Sequence, residues 1–401
     1  MQNNKQTIGF WTVCIFLCCY FMQLFNFPNR FTISLGGSIC LILLIKQRKF
    51  RLDIGAGLLI LTIASYFIIQ YGSRAFTMSL PYVGVLIYVL ANYLACETAS
   101  NDKSELIFLS LIFMLVLGYS LHGIFNSYLF LDGQLEPGNP RYWMDIWEQD
   151  YLPGTWQVVF FLPALAIVFP ALVYFKQRKL SYILTIFLSV FFLYISWISN
   201  SRMSIFVFPL VFCAQIVLYV ILEWEKVKAF LCRRKKLVVA ASVIGLLLAT
   251  FLVSTDNPLK MALIEKLGRD GGIFGSDRLV AQRNALKQLF LYPMGGRKME
   301  FGPINYAHNV WLDMANVSGL IPFFAFTAYT LWTIYELICW LMKKGVSTER
   351  KLVAAGIYGA FFLFYSMERG LEGSMHYMTP WFFLNGMVHG ELTMLKNSVK
   401  K

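Results

Sequence analysis

Arg278, Arg283 and His308 stand in one polar stretch of a chain that is 58% hydrophobic. The stretch runs from Gly275 to Gly319 and reads GSDRLVAQRNALKQLFLYPMGGRKMEFGPINYAHNVWLDMANVSG. A guanidinium can grip a carboxylate or phosphate through two parallel hydrogen bonds. An imidazole titrates near neutrality and can take a proton from a hydroxyl. Cations, a glycine break and a single histidine at a water–lipid boundary therefore suggest a site where an anion meets a general base. Ser276 or Asp277 can cap a helix running to Leu291 and stopped by Pro293. On that helix Arg278 and Gln282 share a face, while Arg283 lies well round from Arg278 at about 100° per residue. Leu279, Leu286, Leu289 and Phe290 supply an apolar side, so the helix should lie on the membrane surface. Arg283 there fits an arginine snorkelling to headgroups as well as it fits a ligand. Arg278, near the helix start with its exposed N–H groups, is the better anion candidate.

Three more pieces carry chemistry. Asn200-Ser201-Arg202 is wedged between two apolar runs, where a guanidinium either anchors a helix end or needs an anionic partner. Asn309 can cap the helix that follows it, leaving His308 just outside the first turn; a histidine there is either an interfacial polar group or a base. The segment from Met367 to His376 holds Glu368, Arg369, Glu372 and His376. Glu368 and Arg369 could simply pair at a helix end, or Glu368, or Glu372 with His376, could orient His308 or a sugar. Glu148 and Asp150 only faintly resemble a metal motif, and no metal site is expected. His122, Glu336, His389 and Glu391 fall in or near apolar runs and read as structural, though ionisable groups at such depth merit testing.

The elements that must position these residues are membrane helices. A mean hydropathy of +0.59 with 14% charged residues over 401 residues lies outside the range of a soluble globular chain. Apolar runs near twenty residues recur, each long enough for a hydrocarbon core of about 30 Å. They show no alternation, so they read as helices and not barrel strands. The expected fold is all-α: a single polytopic integral membrane domain over residues 1–401 with about twelve spans. These fall near 8–27, 31–45, 52–71, 77–96, 106–127, 156–175, 181–199, 203–222, 237–254, 318–342, 352–367 and 379–395. The first run lacks a small-residue cleavage site and is read as a retained helix.

Basic clusters at Lys46 to Arg51, Lys176 to Lys179, Arg233 to Lys236, Lys343 to Lys344 with Arg350 to Lys351, and Lys396 to Lys401 mark the cytoplasmic side, with both termini inside. They also account for most of the net charge of +13 without invoking nucleic acid. Two long loops then face outward. The one at 128–155 is acidic: over Phe130 to Gly154 five carboxylates stand against Arg141, net −4. The one at 255–308 is basic, eight cations against five carboxylates, net +3, which runs against the usual bias and suggests something anionic on that side. The eight cysteines all sit in or beside apolar runs and read as small hydrophobes.

Taken in order, Ser201-Arg202 between two spans, Arg278 ahead of the Pro-x-Gly-Gly break at Pro293 to Gly296, and His308-Asn309 leading into a helix with Gly319 resemble the O-antigen ligase/O-antigen polymerase superfamily. The resemblance covers roughly Asn200 to Pro322 and the overall number of spans. It implies an oligosaccharide donor on undecaprenyl diphosphate, presented on the outer face of a bacterial plasma (inner) membrane. Transfer would be en bloc to a glycan or lipid-linked acceptor hydroxyl, without metal or other cofactor. Arg202 and Arg278, with Arg283 as a further candidate, would hold the diphosphate. His308 would activate the acceptor, and Glu368, Asn309, Glu372 and His376 are the supporting candidates. The leading expectation is a polymerase of lipid-linked repeat units for an O-antigen, capsule or exopolysaccharide, surrounded by membrane lipids and paired with a chain-length regulator. A ligase placing finished glycan on a lipid A core is the close alternative. From a different class, a lipid-linked oligosaccharide flippase would need charges lining a cavity through the bundle.

Overall fold

A computed structural model describes residues 2–24, 53–70, 82–99, 104–131, 142–147, 149, 151–174, 179–199, 202–234, 243, 250, 277–368 and 375–398. Helices α1 (Gln2–Phe21), α2 (Ile54–Gln70), α3 (Tyr82–Ala99) and α4 (Ser104–Leu131) come first. A short antiparallel hairpin follows, β1 (Tyr142–Met144) with β2 (Tyr151–Pro153). Next come α5 (Gly154–Val159), α6 (Leu162–Ala166), α7 (Val168–Tyr174), α8 (Lys179–Ile198), α9 (Arg202–Leu222) and α10 (Trp224–Arg233). The C-terminal part holds α11 (Asp277–Gln288), α12 (Val310–Ser318), α13 (Leu320–Leu341), α14 (Thr348–Met367), a 3-10 turn (Met375–Met378) and α15 (Thr379–Ser398).

Among the described residues, Ser104–Leu129 and Leu320–Leu341 are long and apolar enough to cross a membrane. Phe206–Leu222 and Trp224–Arg233, bent by 96°, make a third if counted as one span. Helices also stand at most of the other expected positions. The runs at 31–45 and, apart from two isolated positions, 237–254 lie outside the described residues.

Two expectations need correction. The acidic loop at 128–155 contains a hairpin, so the chain is not purely α. Its Asp145 is buried because His122 on α4 places Nε2 2.7 Å from Oδ2, and Asp145 Oδ1 also accepts from Trp147 N. The expected span 156–175 is three short helices. Pro170 explains the second break: it has no N–H for the carbonyl four residues back, Ala166 O. Gln215 on α9 supplies the missing donor, its Nε2 bonding Ala166 O at 2.8 Å and Leu352 O at 2.8 Å. Gly356 leaves the room, since a Cβ there would lie 2.1 Å from Gln215 Nε2. Gln215→Leu should strand a buried carbonyl and cost about 1–3 kcal/mol, read as a lower unfolding midpoint in detergent. An unchanged midpoint would remove Gln215 from the support of the break.

Among the described helices α3 and α15 pack most closely. Cβ atoms on Gly386 and Gly390 would meet Tyr88 O at 2.2 Å and Asn92 O at 2.5 Å, with Ala91 and Ala95 facing them. Small residues four apart on both partners let two backbones touch, which is how helices associate where no water drives them together. Both contacts advance together, so α3 and α15 run parallel. By contrast, α9 is antiparallel to α14, with Val211 beside Gly359 and Gln215 beside Leu352.

These directions sort the chain into two ends. Lys343, Arg350 and the α9–α10 bend lie at one end, and the bend is fixed there by Glu223 accepting from Thr348 Oγ1. The start of α12 and the end of α14 lie at the other. Buried and half-buried ionisable groups tie helices together toward the basic end. Arg350 Nη1 lies 2.7 Å from Glu391 Oε1, whose partner oxygen accepts from Trp340 Nε1. His389 sits between Glu336 (Nδ1 to Oε1, 2.6 Å) and Asp53 (Nε2 to Oδ2, 3.5 Å).

Candidate functional site

The site is built on the C-terminal end of α14. The last carbonyls of a helix have no partner within the helix and must find donors elsewhere. Here the donors are side chains from α11 and from the start of α12. Ser366 O accepts from Gln282 Nε2 and Asn309 Nδ2, each at 3.1 Å, and Met367 O accepts from Arg278 Nη1 at 2.9 Å. The spacing explains the pair on α11: Arg278 and Gln282, four apart, meet consecutive carbonyls of α14. The chain then leaves the helix in extended conformation at Glu368.

Glu368 is 2% exposed and lies between the two groups singled out from the sequence. Its Oε1 is 2.8 Å from Arg278 Nη1 and its Oε2 is 3.3 Å from His308 Nδ1. The side chains of Arg278 and His308 remain 35% and 22% exposed. A buried carboxylate thus joins a cation and an imidazole that both reach the surface. With Nδ1 protonated toward the carboxylate, Nε2 of His308 is left as a proton acceptor. The Tyr306 ring stands edge-on to His308, centroids 6.1 Å apart.

His308 is held in a left-handed backbone conformation, φ +49°, which non-glycine residues adopt only when their surroundings enforce it. The enforcement is visible. Asp313 takes the N–H groups on either side, Ala307 N on Oδ1 and Asn309 N on Oδ2, while Gln282 Nε2 bonds His308 O at 3.2 Å. Asn309 caps α12 by accepting from Leu312 N. This reciprocal clamp works like a capping box displaced by one residue.

The glycine break props the same helix from its other end. Gly296 N and Arg297 N donate to Val317 O and Asn316 O at the end of α12, and Leu320 N donates to Pro293 O. Gly295 and Gly319, both at positive φ, lie backbone against backbone. Ala281, Ala285, Met299, Phe301, Ala307, Leu312 and Ala315 form a small separate core beneath this arrangement.

The face of α11 turned to the protein is therefore the small and polar one. Leu279, Leu286 and Phe290 point outward as expected, but Leu289 is buried.

The structure thus brings together Arg278, His308, Asn309 and Glu368. It does not bring in Arg283, which is exposed and makes no contact with the other three among the described residues. Arg202 begins α9. Because α9 runs antiparallel to α14, it starts toward the end of the bundle where α14 finishes. The side chain of Arg202, that of His376, and all of Glu372 lie outside the described residues.

Sequence reasoning missed Asp313 and the second bond of Gln282. An Asn-x-x-x-Asp spacing at the mouth of an apolar helix was the available signal for the first. The carbonyls of Ser366 and Met367 had no signal in the sequence.

No protein-family model matches the chain, and no curated protein matches it.

Proposed function

We propose that the chain is a polysaccharide polymerase: a bundle of about twelve spans that transfers glycan from undecaprenyl diphosphate at the outer face of a bacterial plasma membrane. The observation that carries this reading is the meeting of Arg278, His308 and Glu368. They come from three segments and share one site at the end of the bundle opposite its basic loops.

In this reading the acceptor hydroxyl gives its proton to His308 Nε2 while its oxygen attacks the anomeric carbon. The bond from that carbon to the diphosphate breaks, and the electron pair leaves on the phosphate oxygen. Arg278, joined in this reading by Arg202 from the start of α9, holds the developing charge, as fixed donors do most effectively where charge appears during reaction. Glu368 holds the imidazole through Nδ1. Attack opposite the leaving group inverts the sugar configuration. A chain-length regulator is the expected partner.

Purified protein, undecaprenyl-diphosphate repeat units and a chelator test the reading: a ladder of polymer is expected. Products capped on a lipid A core in place of a ladder would identify a ligase. Arg278→Lys should lower turnover by about ten- to a hundredfold despite its charge, because an ammonium lacks the planar fork. Turnover at the wild-type rate would take Arg278 out of the mechanism.

One observation favours a flippase as second reading. Glu336, Arg350 and Glu391, all buried, with half-buried Asp53 and His389, form a further set of ionisable groups toward the other end of the bundle. Movement of a fluorescent lipid-linked oligosaccharide across proteoliposomes, with no polymer formed, would decide for it.

A further inference from the structure

Arg278, the anion ligand of the preceding reading, already faces an anion that the chain itself provides. Its Nη1 bonds Met367 O at 2.9 Å and also lies 2.8 Å from Glu368 Oε1. That oxygen is buried and receives no directed hydrogen bond among the described residues, so charge holds the pair there. A guanidinium has five N–H donors in a fixed fork. With about a third of the side chain exposed, an edge of it remains open to a ligand arriving from solvent.

We propose that Glu368 is the resident counter-anion of Arg278, and that an incoming diphosphate competes with it for the guanidinium. The inference rests on the reading of Arg278 as the diphosphate ligand and adds how that site is regulated. A phosphate at the open edge stands close to a buried carboxylate of the same sign, and the two repel. The arginine is thereby kept from holding diphosphate too firmly. This matters most after transfer. Cleavage of the bond between the anomeric carbon and the phosphate oxygen leaves the lipid diphosphate with one more negative charge than the donor had. An arginine without a rival would bind that product more tightly than the substrate. Glu368 offsets the difference and speeds release. The same carboxylate, when displaced from Arg278 by the donor, turns to His308 Nδ1 and shortens a contact that is long at 3.3 Å. The base is then fully oriented only while donor is bound.

The test is binding of inorganic pyrophosphate to the full-length protein in detergent, by calorimetry. Glu368→Gln, nearly the same shape without the charge, should bind about tenfold more tightly than wild type, and Arg278→Ala should not bind. Glu368→Asp keeps the charge but withdraws it by one methylene, and should fall between wild type and the glutamine variant. It serves as the reporter if the glutamine variant does not fold. Weaker or unchanged affinity in the folded Glu368 variants overturns the proposal while leaving Arg278 as the anion ligand. Absence of pyrophosphate binding in wild type and every variant overturns both.

Discussion

His308→Ala should abolish chain growth, with a loss of about 10²–10⁴-fold in turnover, while the protein still inserts and unfolds near the wild-type midpoint. The imidazole is 22% exposed, and among the described residues its hydrogen bond is the long contact to Glu368, so little packing is lost with it. The backbone needs its own control, because residue 308 sits at φ +49°. Asparagine tolerates that region well but cannot act as a base. His308→Asn should therefore keep the clamp of Asp313 and Gln282 intact and still make no polymer. Both variants are read by polymer ladder from lipid-linked repeat units and by thermal unfolding in detergent. Polymer at the wild-type rate from either variant would remove His308 from the reaction.

Gly319→Ala should destroy the site without touching any charged residue. An added Cβ would lie 2.2 Å from Pro293 O and 2.8 Å from Met294 C and Cα, all backbone atoms that cannot rotate away. The residue also sits at φ +83°, where a side chain is strained. Relief requires the Pro-Met-Gly-Gly segment to part from α12, breaking the bonds of Leu320 N to Pro293 O and Gly296 N to Val317 O. A cost on the order of 3 kcal/mol or more is expected from overpacking and strain together. Gly296→Ala is the comparison: φ is also +83°, but the nearest atom is Lys298 Cε at 3.7 Å. That variant should cost only about 1 kcal/mol. Equal unfolding midpoints for the two alanines would mean that the close approach at Gly319 is not what holds the segment.

Hydropathy located most of the described helices because an apolar run of bilayer length has few alternatives to a helix. It could not see the break at 154–174. Two prolines were visible there, yet whether a proline kinks or divides a span depends on who satisfies the freed carbonyl. Gln215, some fifty residues on, is that partner. The hairpin of the acidic loop was hidden for a similar reason, since Asp145 is a surface residue until His122 is known to lie beneath it.

At the site, Arg278, His308 and Glu368 stand out by residue type and by resemblance, but their meeting depends on how α11, α12 and α14 pack, which their spacing in the sequence does not give. Arg283 was legible in its angle: its position round α11 from Arg278 already set it apart. The close pairing of α3 with α15 had a plain signal in Gly386 and Gly390, four apart and opposite Ala91 and Ala95, which hydropathy alone passes over.

The carbonyls of Ser366 and Met367 carry one more consequence, for the order of assembly. Their donors, Arg278, Gln282 and Asn309, are synthesised some sixty to ninety residues before them. Until α13 and α14 have been made and packed, α11 lacks the carbonyls it bonds, and the imidazole of His308 lacks the carboxylate of Glu368. A nascent chain released short of Glu368 would thus carry every cation of the basic loop but no assembled centre. During biosynthesis the cluster of Arg278, His308 and Glu368 closes late, with the arrival of a helix terminus.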